Sequence, residues 1–169
     1  MSGFRHGIRR GLEAPALAMA TMSAVAMVAI VGVIMTSVVM RKALNTPLHV
    51  TEEVVGLLLS SALFLGLPYV TLTARHVRVS IVADNLPARL RPATRVAAMA
   101  IGFGFFAWLV WVSIPWFQFA FDRALRTQTT RLLLWPWMAM LPLSLGLTAM
   151  IFLARLTGAI APERPDGAA

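Results

Sequence analysis

The chain has 169 residues, 59 % of them hydrophobic and 13 % charged, with a net charge of +8. Soluble domains run near ~45–50 % apolar and ~25 % charged, so the composition excludes a soluble globule and marks an integral membrane protein. The absence of cysteine excludes disulfides, thiolate metal sites and thiol redox chemistry, and the basic residues flank apolar runs, where they meet lipid headgroups and not nucleic acid.

Four charge-free stretches mark the spans in chain order. The N-terminal tail, residues 1–13, bears Arg5, Arg9 and Arg10. The transmembrane domain, 14–156, contains spans over about 14–40, 54–74, 96–121 and 132–154. The tail 157–169, with Pro162, Pro165 and Gly167, is expected to be disordered. Each span reaches the ~20 residues needed to cross ~30 Å of hydrocarbon. Lipid leaves backbone groups no partner but the segment itself, so the spans are helices; strands of alternating polarity, as a barrel requires, are absent from the pattern. The first apolar run is far longer than the ~7–15 residues of a signal-peptide core, which argues against a cleavable signal peptide; with Arg5, Arg9 and Arg10 before it, it is expected to act as an uncleaved signal-anchor. The predicted fold is an all-α membrane protein with four transmembrane helices and an amphipathic interfacial segment between helices 2 and 3.

Orientation follows from the basic residues. Ten lie in the N-terminal tail, the second loop (Arg75, Arg78, Arg89, Arg91, Arg95) and the C-terminal tail (Arg155, Arg164). Five lie in the first loop (Arg41, Lys42) and the third (Arg123, Arg126, Arg131). The positive-inside rule therefore predicts both termini in the cytoplasm. Trp116, Trp135 and Trp137 flank the third loop, where an interfacial aromatic belt is expected.

Chemistry inside a membrane needs ionisable groups there, and no Asp, Glu, Lys, Arg or His falls within the four spans. His6, His49 and His76 lie outside them and do not cluster with carboxylates at metal-ligand spacing. No catalytic residue, cofactor or metal is therefore assigned. The spans instead hold small residues four apart, Ala16, Ala20 and Ala24 in the first and Gly56 and Ser60 in the second. These serve either packing among the four helices or docking onto another membrane subunit. Pro68, Pro115 and Pro142 each remove a backbone donor and predict kinks.

The loops hold the remaining polar candidates. Thr51 is expected to cap the second helix, with Glu52 and Glu53 in its first turn at the positive end of the dipole; the alternative is an ionic contact with a partner's arginine. Residues 75–92 are basic yet rich in apolar side chains, a pattern suited to the membrane interface. There His76 lies between Arg75 and Arg78. Candidate interface or anchoring residues are thus Glu52, Glu53, Arg75, His76, Arg78, Trp116 and Trp137.

At these loops the chain resembles the small membrane subunit of tripartite ATP-independent periplasmic (TRAP) transporters, the DctQ-like family. The resemblance rests on Arg41 after the first helix, the turn Asn45-Thr46-Pro47, the pair Glu52-Glu53, Leu65-Gly66, His76-Val77-x-Val79 closed by Leu86-Pro87, and Pro136-Trp137 with Pro142. It covers roughly residues 17–156. Val50 stands where the family often has tryptophan, Ser80 where aspartate is common, and Lys42 where tyrosine is frequent. The resemblance implies a non-catalytic subunit of the bacterial inner membrane. Its partners would be a large multi-span permease subunit, which holds the substrate and sodium sites, a periplasmic substrate-binding protein, and membrane lipids; the substrates would be organic acids. Two other readings stand beside it: the small subunit of a tripartite tricarboxylate-type transporter, and a self-contained four-helix membrane enzyme or redox carrier.

Overall fold

The computed structural model describes residues 2–44, 50–73 and 91–157. Four helices fill them: α1 (Ser2–Leu44), α2 (Thr51–Leu72), α3 (Arg91–Asp122) and α4 (Trp135–Leu156). All four are long and apolar enough to cross a membrane, and the chain is an all-α, four-helix membrane protein. The residues expected as the N-terminal tail are helical from Ser2 onward, and Leu12 is buried. The interfacial segment expected between α2 and α3, with Arg75, His76 and Arg78, lies outside the described residues, as does the C-terminal tail beyond Thr157.

The helices pack as an array in the order α1–α2–α4–α3. α2 lies against α1 and α4; α4 lies against α2 and α3; α1 only brushes α4. The consequence is visible in burial: 28 % of the most apolar stretch is buried in α2 and in α4, against 6 % in α1 and in α3. α1 turns one seam inward, Leu12, Ala16, Met19 and Ala26, with Ser23 half-buried between the last two. These steps of three and four average 3.5 residues, the repeat that keeps one face against a neighbouring helix. The expected four-residue repeat drifts off that face, since four residues turn the helix by more than a full circle. Ala16 is accordingly fully buried, Ala20 half-buried and Ala24 exposed. Gly56 and Ser60 are both exposed, and nothing lies within 4 Å of a Cβ built on Gly56.

Lipid offers no hydrophobic drive for helix association, so hydrogen bonds and close packing hold the array. Pro68, Pro115 and Pro142 each lie inside a helix that continues through it. Pro68 has no N–H, which leaves the carbonyl of Phe64 without its helical donor. The Ser144 hydroxyl of α4 donates to that carbonyl across the interface, and the proline and the serine are both buried. A neighbouring helix thereby repairs the break, as lipid requires. On the other side of α2, Ser23 Oγ of α1 donates to the Ala62 carbonyl at 2.6 Å. A methyl on Gly66 would lie 3.4 Å from that same hydroxyl, in contact with it, so the two helices are packed closely here.

The end of the array remote from the third loop is closed by Leu12 and Ile151, with Leu72, Leu147 and Ala154 packed against them. There Arg155 donates from Nη2 to the Leu72 carbonyl at 2.8 Å. Leu72 is the last residue of α2, whose final carbonyls have no helical partner and face the negative end of the dipole. α3 is attached differently. Phe106 stacks on Phe152 of α4 with centroids 5.5 Å apart. Gly102 passes so near that a Cβ there would meet the Phe152 ring at 2.7 Å. Phe121 meets Trp135 edge to face at 5.7 Å.

Candidate functional site

The polar centre of the described chain is where α2 begins and the third loop turns back. α3 ends in a Schellman motif: Leu125 N–H donates to the Ala120 carbonyl at 3.1 Å and Ala124 N–H to Phe121 at 3.2 Å. Ala124 occupies the left-handed position of that motif, with φ 45°. The loop then folds into a small hairpin. Thr127 N–H donates to the Leu132 carbonyl and Leu134 N–H to the Leu125 carbonyl, both at 2.9 Å, and Arg126 bridges Leu133 in antiparallel fashion. Arg131 takes the second left-handed conformation, φ 52°. α4 starts immediately afterwards with Pro136 in its first turn, where its missing N–H costs nothing.

The hairpin tip is fastened to Glu53. Thr129 N–H donates to Glu53 Oε1 at 3.2 Å; Thr130 N–H and Thr130 Oγ1–H donate to Oε2 at 2.8 and 2.7 Å. A hydroxyl has one proton to give. Because Thr130 spends its own on Glu53, the Thr127 hydroxyl is the donor in the Thr127–Thr130 contact of 2.5 Å. Thr127 Oγ1 in turn accepts from Leu132 N–H at 3.0 Å. The result is a chain of donors running from the loop backbone through two hydroxyls to one carboxylate. Successive hydrogen bonds of one sense polarise each other, and every donor here favours the ionised carboxylate.

Glu52 and Glu53 do lie in the first turn of α2. The expected cap does not form. Val50 holds the N-cap position without a side-chain hydrogen bond, and Thr51 Oγ1 donates to Ser37 Oγ of α1 at 3.0 Å. Its hydroxyl ties two helices together because α1 runs on to Leu44 and brings Ser37 alongside. Glu53 turns to the third loop of its own chain, whereas Glu52 is exposed. Trp116 is also exposed, and Trp137 is half-buried; both line a hollow between α2, α3 and α4. Arg75, His76 and Arg78 lie outside the described residues.

Residues beyond the expected set complete this region: Thr127, Thr129 and Thr130 from the loop, Ser37 from α1. Their signal is the run Arg126-Thr-Gln-Thr-Thr-Arg131, a cluster of hydroxyls in a loop whose neighbours are mostly apolar. The arrangement has a carboxylate surrounded by donors that hold it still, with no nucleophile set against a base. It fixes the third loop to the first turn of α2.

Comparison with known proteins gives this architecture a family. No curated protein and no solved structure matches the chain. The family model described as the DctQ component of tripartite ATP-independent periplasmic transporters matches residues 30–161, a stretch that begins within α1 and includes α2, the Glu53-held hairpin, α3 and α4. The chain therefore belongs to the DctQ family, the small component of TRAP transporters.

Proposed function

We propose that this chain is the non-catalytic small membrane subunit of a sodium-coupled, binding-protein-dependent secondary transporter of organic acids. It enlarges and steadies the scaffold around a large permease subunit and helps a periplasmic substrate-binding protein to dock. Its setting is the bacterial inner membrane, with both termini cytoplasmic and the Glu53-held hairpin on the periplasmic side. The observation that carries this reading is the emptiness of the spans. A solute or ion path needs ionisable or free polar groups at mid-membrane, and the four apolar stretches contain no charged residue. The hydroxyls within them support the same reading: Ser61, Thr71, Ser113 and Thr148 each donate to a carbonyl of their own helix at 2.8 Å. They are spent on structure. The exposed apolar faces of α1 and α3 fit lipid and a larger membrane partner alike.

The test is deletion of this chain beside its large permease. Uptake should fall to background and return when the chain is supplied from a plasmid, and the two should co-purify. Unimpaired uptake after deletion overturns the proposal. Within the complex, Glu52→Gln should weaken assembly without lowering expression, because the exposed carboxylate is free to meet a partner; unchanged assembly would remove Glu52 from the interface.

A further inference from the structure

The array leaves a hollow of about 350 Å3 where α3 leans on α4 without closing against α2. Its lining is aromatic and aliphatic apart from three serines. Each serine turns its proton away. Ser60 donates to the Gly56 carbonyl at 2.9 Å, Ser61 to Leu57 at 2.8 Å and Ser113 to Val110 at 2.8 Å. The hollow therefore offers little to a water or a polar solute, which needs several polar partners to settle. Empty, its walls would forfeit dispersion contacts. The chemistry that fits is hydrocarbon.

Two features say which hydrocarbon. Trp116 and Trp137 line the hollow, and tryptophan concentrates at headgroup level, so the hollow opens near the membrane surface on the third-loop side. At that same end Leu134 contributes to the lining. Leu134 is pinned to Leu125 at the base of the hairpin, next to the Arg126–Leu133 bridge. Arg126 and Arg131 are both exposed there, and neither forms an ion pair among the described residues. The hairpin that bears them is held by Glu53. The two arginines of the hairpin thus lie at the same end of the array as the mouth of the apolar slot, where the carboxylate that meets the hairpin, Glu53, is taken up by Thr129 and Thr130.

We propose that this hollow is a phospholipid site: one acyl chain of an anionic phospholipid lies between α2, α3 and α4, and its phosphate is held by Arg126 and Arg131. The bound lipid supplies the contact that α3 lacks on its α2-facing side.

The test is lipid analysis of the full chain, purified from the membrane together with whatever it assembles with. Native mass spectrometry and quantitation of retained lipid should find phosphatidylglycerol enriched several-fold over its share in the membrane. Arg126→Gln with Arg131→Gln should abolish that enrichment and return phosphatidylglycerol to its share in the membrane. Ser113→Phe should fill the slot and expel the lipid, whereas Ser113→Ala, which leaves the space open, should retain it. If Ser113→Phe does not accumulate, Ser60→Phe reaches the same hollow from its exposed side. Retained lipid of bulk composition, or enrichment that survives the double arginine change, overturns the proposal. So does a photoreactive residue at position 60 that captures a protein helix in place of lipid. None of these readouts depends on uptake, so the result stands apart from the transport reading.

Discussion

α2 and α3 are both apolar membrane helices, yet they are held in opposite ways. α2 has a partner at every level: Ser37 and the third-loop hairpin at its start, Ser23 and Ser144 in its middle, Arg155 at its end. α3 leans on α4 through rings and one glycine, and its other sides carry exposed Ile101, Trp108 and Trp111. A helix in the middle of an array can be tied by hydrogen bonds from both flanks; α3 has one flank only and is held there by fit, whereas α1, at the other edge, keeps two hydrogen bonds to α2. The difference predicts different failures. Loss of a polar atom should hurt α2, and gain of a single carbon should hurt α3.

The largest effect is expected at the start of α2. Glu53→Ala removes the acceptor for three donors at once, so the hairpin should detach and trypsin should cut after Arg126 and Arg131 about tenfold faster, the rate following the open population. Glu53→Gln should fall between, because the amide keeps one acceptor oxygen for Thr130 and turns an NH2 toward the other donor. Equal protection of wild type and Glu53→Ala would show that the carboxylate does not hold the loop.

Gly102→Ala comes next. Its methyl would sit 2.7 Å from the Phe152 ring, and overpacking of this kind costs about 1–3 kcal/mol. Unfolding in mixed micelles should register the loss, and Phe152→Leu in the same chain should recover most of it. Absence of rescue would mean that the α3–α4 seam is looser than the ring packing indicates.

The smallest effect is expected at Ser144. Ser144→Ala leaves the Phe64 carbonyl without a donor, at a cost of about 1 kcal/mol, within the range of interhelical hydrogen bonds in membranes. Pro68→Ala restores the N–H that Phe64 lacks. The pair should therefore be coupled: Pro68→Ala should soften the Ser144→Ala loss. Simple additivity of the two changes would break the link between the proline and the serine.

The Glu52-Glu53 pair in the first turn of α2 was legible in the sequence because a helix start follows from local pattern. What Glu53 binds was not, because the donors are 76 and 77 residues away and reach it through a hairpin that requires left-handed backbone at Ala124 and Arg131, two residue types that give no sign of it. Thr51 failed as a cap for a related reason: a hydroxyl at a helix start has a good local use, and a neighbouring helix offered another. The small-residue repeats are only partly spent on packing within the array: Ala16 is buried, whereas Ala24, Gly56 and Ser60 are exposed, since a four-residue period drifts by about 40° at each step. Arg155 reads in sequence as one more positive charge at a membrane edge; in the fold its guanidinium also closes the end of α2.

Sequence by itself determined that this chain lives in a membrane, that it crosses in four helices, and that no charged group lies within its apolar spans. Those properties depend on the transfer of each segment from water to lipid, which every residue contributes to independently. Only the tertiary structure decided which helices lie inside the array, that Ser144 repairs the gap left by Pro68, and that Glu53 fastens the third loop. These are pairings between distant residues. Lipid leaves each unpaired polar group with nowhere else to turn, so the packing of the helices, and not their hydropathy, selects the partner.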